Sequence, residues 1–218
     1  MCFSAEADLV TGVAVSFVGV DALRHVTTAR EYPLAALPLL FAVHQLIEVF
    51  VWWGVDGQVA WSVARGAIFV YLVVAFVLPI VVPVSVLRVE SKPRRRELMA
   101  LCVGLGLGVS TLLLVGLTDG PVGAQDAGHR IAYEIGGHYG VVLAVLYVIA
   151  CCGALLASSS RAIVAFGAAN LVAVSVLAYL TAGNIASLWC AWAAVSSVAI
   201  ALHLRARGRV RLLRAVAS

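Results

Sequence analysis

Residues 33–53 read PLAALPLLFAVHQLIEVFVWW. As a helix this stretch is about 30 Å long, the hydrocarbon thickness of a bilayer, and it is apolar throughout except for His44, Gln45 and Glu48. An ionisable side chain at that depth costs about 2.5–3.5 kcal/mol on insertion scales, so it is expected to face a bundle interior. His44 and Glu48 are four residues apart and share one helix face about 6 Å apart. Two acid–base groups therefore stack along one wall.

Composition agrees with lipid as the solvent. Of 218 residues, 63% are hydrophobic and 12% charged, and the mean hydropathy is +1.04, more apolar surface than a soluble domain can hide. The apolar runs are continuous rather than alternating, which disfavours a β-barrel. Seven of them, roughly 9–26, 33–53, 63–87, 98–117, 139–157, 162–182 and 185–204, predict an all-α, polytopic seven-helix transmembrane bundle forming one domain over 1–218. No removable signal peptide is expected, because no basic segment precedes the first apolar run.

The basic residues read as topology signals rather than as a nucleic-acid surface. Thirteen of the fifteen Lys and Arg fall after the first, third, fifth and seventh runs, at 24, 30, 88, 92, 94–96, 161 and 205–214. The positive-inside rule then puts the N-terminus outside and the C-terminus inside, in a multi-pass protein of the cell (inner or plasma) membrane. Glu6, Asp8, Asp56, Asp119, Asp126 and Glu134 fall on the outer side. Asp21, near the inner end of the first helix, is expected to pair with Arg24 or His25. The Arg-rich tail and His203 suit anionic headgroups.

Pro79 and Pro83 should kink the third helix. Gly104, Gly106 and Gly108 allow the fourth to approach a neighbour closely. The external loop from Thr118 to about His138 reads either as an extracellular lid or as a disordered connector.

With this topology, polar residues from distant segments share one depth. Glu48 lies in the outer half of the second helix. Asn184, Ser187, Trp189 and Cys190 begin the seventh, Tyr179 ends the sixth, His138 precedes the fifth, and Cys2 and Ser4 lie at the N-terminus. A pocket open toward the outer leaflet is expected there. Glu48, His44 and Cys2 are the candidate catalytic groups. Gln45, Trp52, Tyr179, Asn184, Trp189, Cys190 and His138 are the candidate substrate-binding ones.

A carboxyl held away from water can serve as a general acid, and the alternative is a carboxyl that only cross-links helices, to His44 or to Arg65. Loss of Met1 would give Cys2 both an amine and a thiol. It then reads as a nucleophile, a chelator, a disulfide partner of Cys190 or a packing residue. No cofactor is required, although Cys2, His44, Glu48, His138 and Cys190 include the ligand types of zinc or copper. The five cysteines contain no C-x-x-C pair, so neither a zinc ribbon nor a thioredoxin-type site is indicated. Trp52, Trp53, Trp61 and Trp189 read as interface anchors or as the lining of an apolar pocket.

MCFSA at the start, PLLFAVHQLIEVFVWW in the second run and SLWCAWAA in the seventh resemble a family of bacterial seven-helix membrane proteins with no established activity. In that family Gln often stands at the position of His44 and Gly at that of Val49. The resemblance implies the architecture. Glu48, in a second helix and followed by aromatic residues, is also similar to the acid of the membrane-bound terpene cyclases, which are thought to protonate an epoxide or alkene. That resemblance implies a prenyl or terpenoid cyclase acting on a hydrophobic small molecule. The second acid those enzymes carry late in the chain has no counterpart, since the last two runs hold no Asp or Glu. Two other classes stay open: a proton-coupled small-molecule transporter and a metal- or thiol-dependent intramembrane hydrolase.

Overall fold

The structure, a computed structural model, describes residues 4–120, 122–126, 131–134, 140–181 and 186–216, with the backbone alone at 134, 180–181, 186–191 and 209–216. Among these residues are seven α-helices: α1 Ala5–Arg24, α2 Tyr32–Val55, α3 Trp61–Val89, α4 Pro93–Thr118, α5 Gly140–Leu156, α6 Arg161–Thr181 and α7 Ala186–Val216. Each of the seven apolar runs is thus helical. Among the described residues, four helical stretches are long and apolar enough to cross a membrane: Ala29–Val55, Trp61–Val89, Pro93–Thr118 and Arg161–Tyr179. The shorter α5 is apolar over its 17 residues.

Local chemistry sets the helix ends. Ser4 caps α1, its side chain accepting from the Ala7 amide at 3.3 Å. Pro33 and Pro93 sit in the first turns of α2 and α4, where the missing N–H has no intrahelical partner to lose. α7 runs well past residue 204, where the apolar run ends. Arg205 and Arg207 tie it down: Arg205 Nε donates to Asp21 Oδ2 at 2.7 Å, and Arg207 lies 3.7 Å from Glu31. Asp21 thus takes Arg205 as its main partner, with His25 at 3.6 Å, instead of Arg24. A partner 184 residues away is invisible to a local reading.

The helices pack in chain order, α1 on α2, α2 on α3, α3 on α4 and α4 on α5, with α7 closing against α1 and α2. Along α1, Gly12 and Gly19 sit against Leu46 and Leu39 of α2. A Cβ at either glycine would lie within 2.9 Å of leucine side-chain atoms, so the two backbones approach closely. The opposite helix faces present large apolar side chains outward, among them Phe17, Leu101, Leu112 and Val141. Such surfaces are stable against lipid and not against water.

α3 shows how the prolines are accommodated. Pro79 has no N–H for the carbonyl of Ala75, four residues earlier, and Pro83 has none for that of Pro79. The Tyr147 hydroxyl of α5 donates to Ala75 O at 3.0 Å and supplies the first missing bond. Gly106 of α4 packs its backbone onto the second carbonyl. Tyr147→Phe should therefore leave the partly buried Ala75 carbonyl unsatisfied, at a cost of about 1 kcal/mol. Thermal unfolding in detergent micelles checks this, and an unchanged midpoint would show that another donor serves Ala75.

The connection between α4 and α5 adds one short hairpin to an otherwise helical architecture. Gly123–Asp126 (β1) and Ile131–Glu134 (β2) pair antiparallel, Gly123 opposite Glu134 and Asp126 opposite Ile131. Ile131 and Tyr133 alternate onto one face of β2, where Ile131 is buried among Val49, Trp52, Ile68, Tyr71, Leu72, Phe76 and Leu117. The hairpin therefore lies against α2, α3 and α7 and caps that end of the bundle.

Candidate functional site

One face of α2 carries the site. His44, Gln45, Glu48 and Trp52 follow the i, i+4 spacing of a helix and are all buried, Glu48 at 0% exposure. Three other elements close around them. α1 brings Asp8, also at 0% exposure, α3 brings Tyr71, and the capping hairpin brings Tyr133.

Two hydrogen bonds and a ring stack define the geometry. The Tyr133 hydroxyl donates to Glu48 Oε1 at 3.2 Å. Trp52 Nε1 donates to Asp8 Oδ2 at 3.0 Å, so this indole is a buried polar link and not an interface anchor. His44 stacks on Tyr71, with ring centroids 3.9 Å apart and planes 17° apart; Tyr71 stacks in turn on Tyr133 at 4.6 Å and 12°. Three rings from α2, α3 and the hairpin thus form one column beside the Glu48 carboxyl. Among the described residues, His44 Nδ1 is buried with no hydrogen-bond partner.

Sequence reasoning found the α2 members of this group and missed three others. Asp8 reads as an ordinary acidic residue in the first turn of a helix. Tyr71 lies in an unbroken apolar run, and Tyr133 in the Gly-rich connection. Only the pairing of α1, α3 and the hairpin with α2 brings them together. Arg65 is exposed at the start of α3. Trp61 is 60% exposed, and Trp53 packs edge-on against Phe50.

The remaining candidates divide two ways. Tyr179 is 88% exposed on α6, so the structure does not bring it to the buried group. Cys2, His138 and Asn184 lie outside the described residues, as do the side chains of Trp189 and Cys190. The proposed zinc or copper ligand set and the Cys2–Cys190 disulfide both depend on those residues. Among the described residues, no three His, Cys, Asp or Glu side chains converge as a metal site. Cys102, Cys151 and Cys152 are free thiols.

In chemical terms the site offers a carboxyl with a phenol donor on it, an imidazole nitrogen one helical turn away and a second carboxyl one turn in the other direction. Aromatic faces and aliphatic side chains make up its walls. That set can hold a proton, deliver it, and shield a cationic species from water.

Residues 1–215 match the model of a family of unknown function, DUF6629, and the chain belongs to that family. No curated protein and no solved structure matches it.

Proposed function

We propose that this member of DUF6629 crosses the cell membrane seven times, N-terminus outside and C-terminus inside, and carries out acid–base chemistry on a lipid-soluble small molecule. Glu48 is the proton donor or acceptor. The observation that carries this reading is the fully buried Glu48 carboxyl, bonded by Tyr133 of the capping hairpin and standing beside the His44–Tyr71–Tyr133 column. Tyr133 orients the carboxyl. His44 Nδ1, buried and unbonded, offers a bond to the substrate. Trp52 holds Asp8 as a second carboxyl at the same depth.

The most concrete version is a prenyl or terpenoid cyclase. Protonation of an alkene or epoxide leaves a carbocation, which aromatic faces stabilise and bulk water would quench. Gln45 orients the substrate from α2; Asn184, Trp189, Cys190 and His138 complete the pocket if their segments reach it.

The test uses membranes containing the wild-type chain or Glu48→Gln, supplied with polyprenyl alkenes and epoxides and read by mass spectrometry of the products. General acid catalysis contributes roughly 10²–10⁴-fold, and Glu48→Gln should lose a factor in that range. Turnover equal to wild type would remove Glu48 from the chemistry. Proton flux in reconstituted liposomes without turnover would replace the enzyme with a proton-coupled carrier.

A further inference from the structure

A second polar group is buried lower in the bundle. Asn170 of α6 is 7% exposed; its Oδ1 accepts from Trp192 Nε1 of α7, and its Nδ2 donates to Cys152 Sγ of α5 at 3.2 Å. Both Asn170 and Trp192 border a narrow cleft, open along one side, between α2, α3, α5, α6 and α7. Its other walls are almost entirely aliphatic or aromatic, Leu37, Phe41, Leu78 and Phe166 among them. Glu48 is not among the lining residues. Neither are Asp8, His44, Gln45, Trp52, Tyr71 and Tyr133, so the cleft does not include that site, although Phe41 lies one turn from His44 and Gln45 on α2.

The amide explains what the cleft can hold. A primary amide has two N–H donors and one acceptor oxygen. Here the oxygen is used by Trp192 and one N–H is directed at a thiol, which is a weak acceptor. The second N–H makes no bond within the described chain. Burying an amide donor among aliphatic walls is unfavourable by about 1–3 kcal/mol unless an acceptor reaches it. An acceptor carried on an otherwise hydrocarbon molecule would match both these walls and the lipid around the helices.

We propose that this cleft binds a lipid-soluble molecule with a single hydrocarbon chain and one carbonyl or hydroxyl oxygen, the oxygen accepting from Asn170 Nδ2. Trp192 stands beside the bound chain and reports on it.

The experiment uses the full chain in detergent micelles and octadecan-1-ol brominated at mid-chain, which quenches indole fluorescence on contact. Saturable quenching is expected, assigned to Trp192 by its loss in Trp192→Phe. Asn170→Ala should raise the half-saturating concentration about tenfold, and Ala193→Leu, which fills the wall, should abolish the saturable part. In wild type, unbrominated octadecanol should reverse the quenching and octadecane, lacking the oxygen, should not; this arm needs no variant to fold. Glu48→Gln should bind as wild type, so failure here and failure of the catalytic reading are told apart. Quenching that never saturates, equal competition by octadecane, or an equal saturable signal from a brominated two-chain phospholipid would each overturn the proposal.

Discussion

Replacing Gly106 by alanine is expected to lower the thermal midpoint of the micelle-solubilised chain sharply, whereas Gly104→Ala and Gly108→Ala leave it unchanged or raise it slightly. All three glycines lie within one turn and a half of α4, yet their surroundings differ. A Cβ at Gly106 would come within 2.6 Å of the Pro79 carbonyl carbon and closer still to its oxygen, both backbone atoms that cannot swing aside. At Gly104 and Gly108 nothing lies within 4 Å. The Pro79 carbonyl is also the one that Pro83, having no N–H, leaves without a helical bond, so Gly106 presses onto the point where α3 is least regular. Overpacking costs about 1–3 kcal/mol and more where backbone meets backbone, against at most about 1 kcal/mol gained from helix propensity. The net loss for Gly106→Ala should be about 2–3 kcal/mol. A wild-type midpoint would mean that α3 and α4 are not in this register.

The contrast between these glycines also marks how far sequence reasoning reaches. Gly104 and Gly108 are four apart and share a face; Gly106, about 200° round the helix from Gly104, is on the other side. A run of alternating glycines announces close packing without saying which side is used. The same limit governs the rest of the chain. Seven apolar runs were legible because length and hydropathy are local properties. The acceptor of the Tyr147 hydroxyl was not, because it requires α5 to lie against α3, 72 residues away. The hairpin was invisible for a related reason: Gly123–Asp126 has weak strand propensity, and what fixes the pair of strands is Ile131 and Tyr133 docking on the helices. In the site, His44, Gln45 and Glu48 stood out because polar groups are expensive within an apolar run. Asp8 did not, since an acid in a first helical turn is ordinary until Trp52 is found bonded to it.

Glu90 is a second residue that local pattern hides, and its replacement is the other large effect. It follows α3 at the basic end of the bundle, 3% exposed, and joins two connections that are far apart in sequence. Its carboxylate accepts from the amides of Ser91 and Lys92 at 2.9 Å each and of Ser159 at 2.7 Å. The Ser159 hydroxyl adds a bond at 2.7 Å and the Ser158 hydroxyl one at 3.4 Å. Arg95 closes the same junction, donating to the carbonyls of Ala157 and Ser158 at 2.9 and 2.6 Å. Burial alone would push the Glu90 carboxyl up. The bonds from Lys92, Ser159 and Ser91 outweigh it and bring the group from 4.5 down to about 2. A carboxyl held below its unfolded value stabilises the fold while it is ionised. The contribution is complete above about pH 4.5 and is lost as pH falls from there toward about 2. At 1.36 kcal/mol per unit, the displacement corresponds to about 3 kcal/mol at neutral pH. Glu90→Gln keeps the shape but cannot accept on both sides, and should lose most of this. Its stability at pH 6 should resemble that of wild type near pH 2, and its own profile between pH 5 and 2.5 should be flatter than wild type by the same amount. Because the pin joins the α3–α4 connection to the α5–α6 connection, hydrogen exchange should rise first at the amides of Ser91, Lys92 and Ser159. Parallel pH profiles for variant and wild type would place the acid sensitivity of the fold in some other carboxylate.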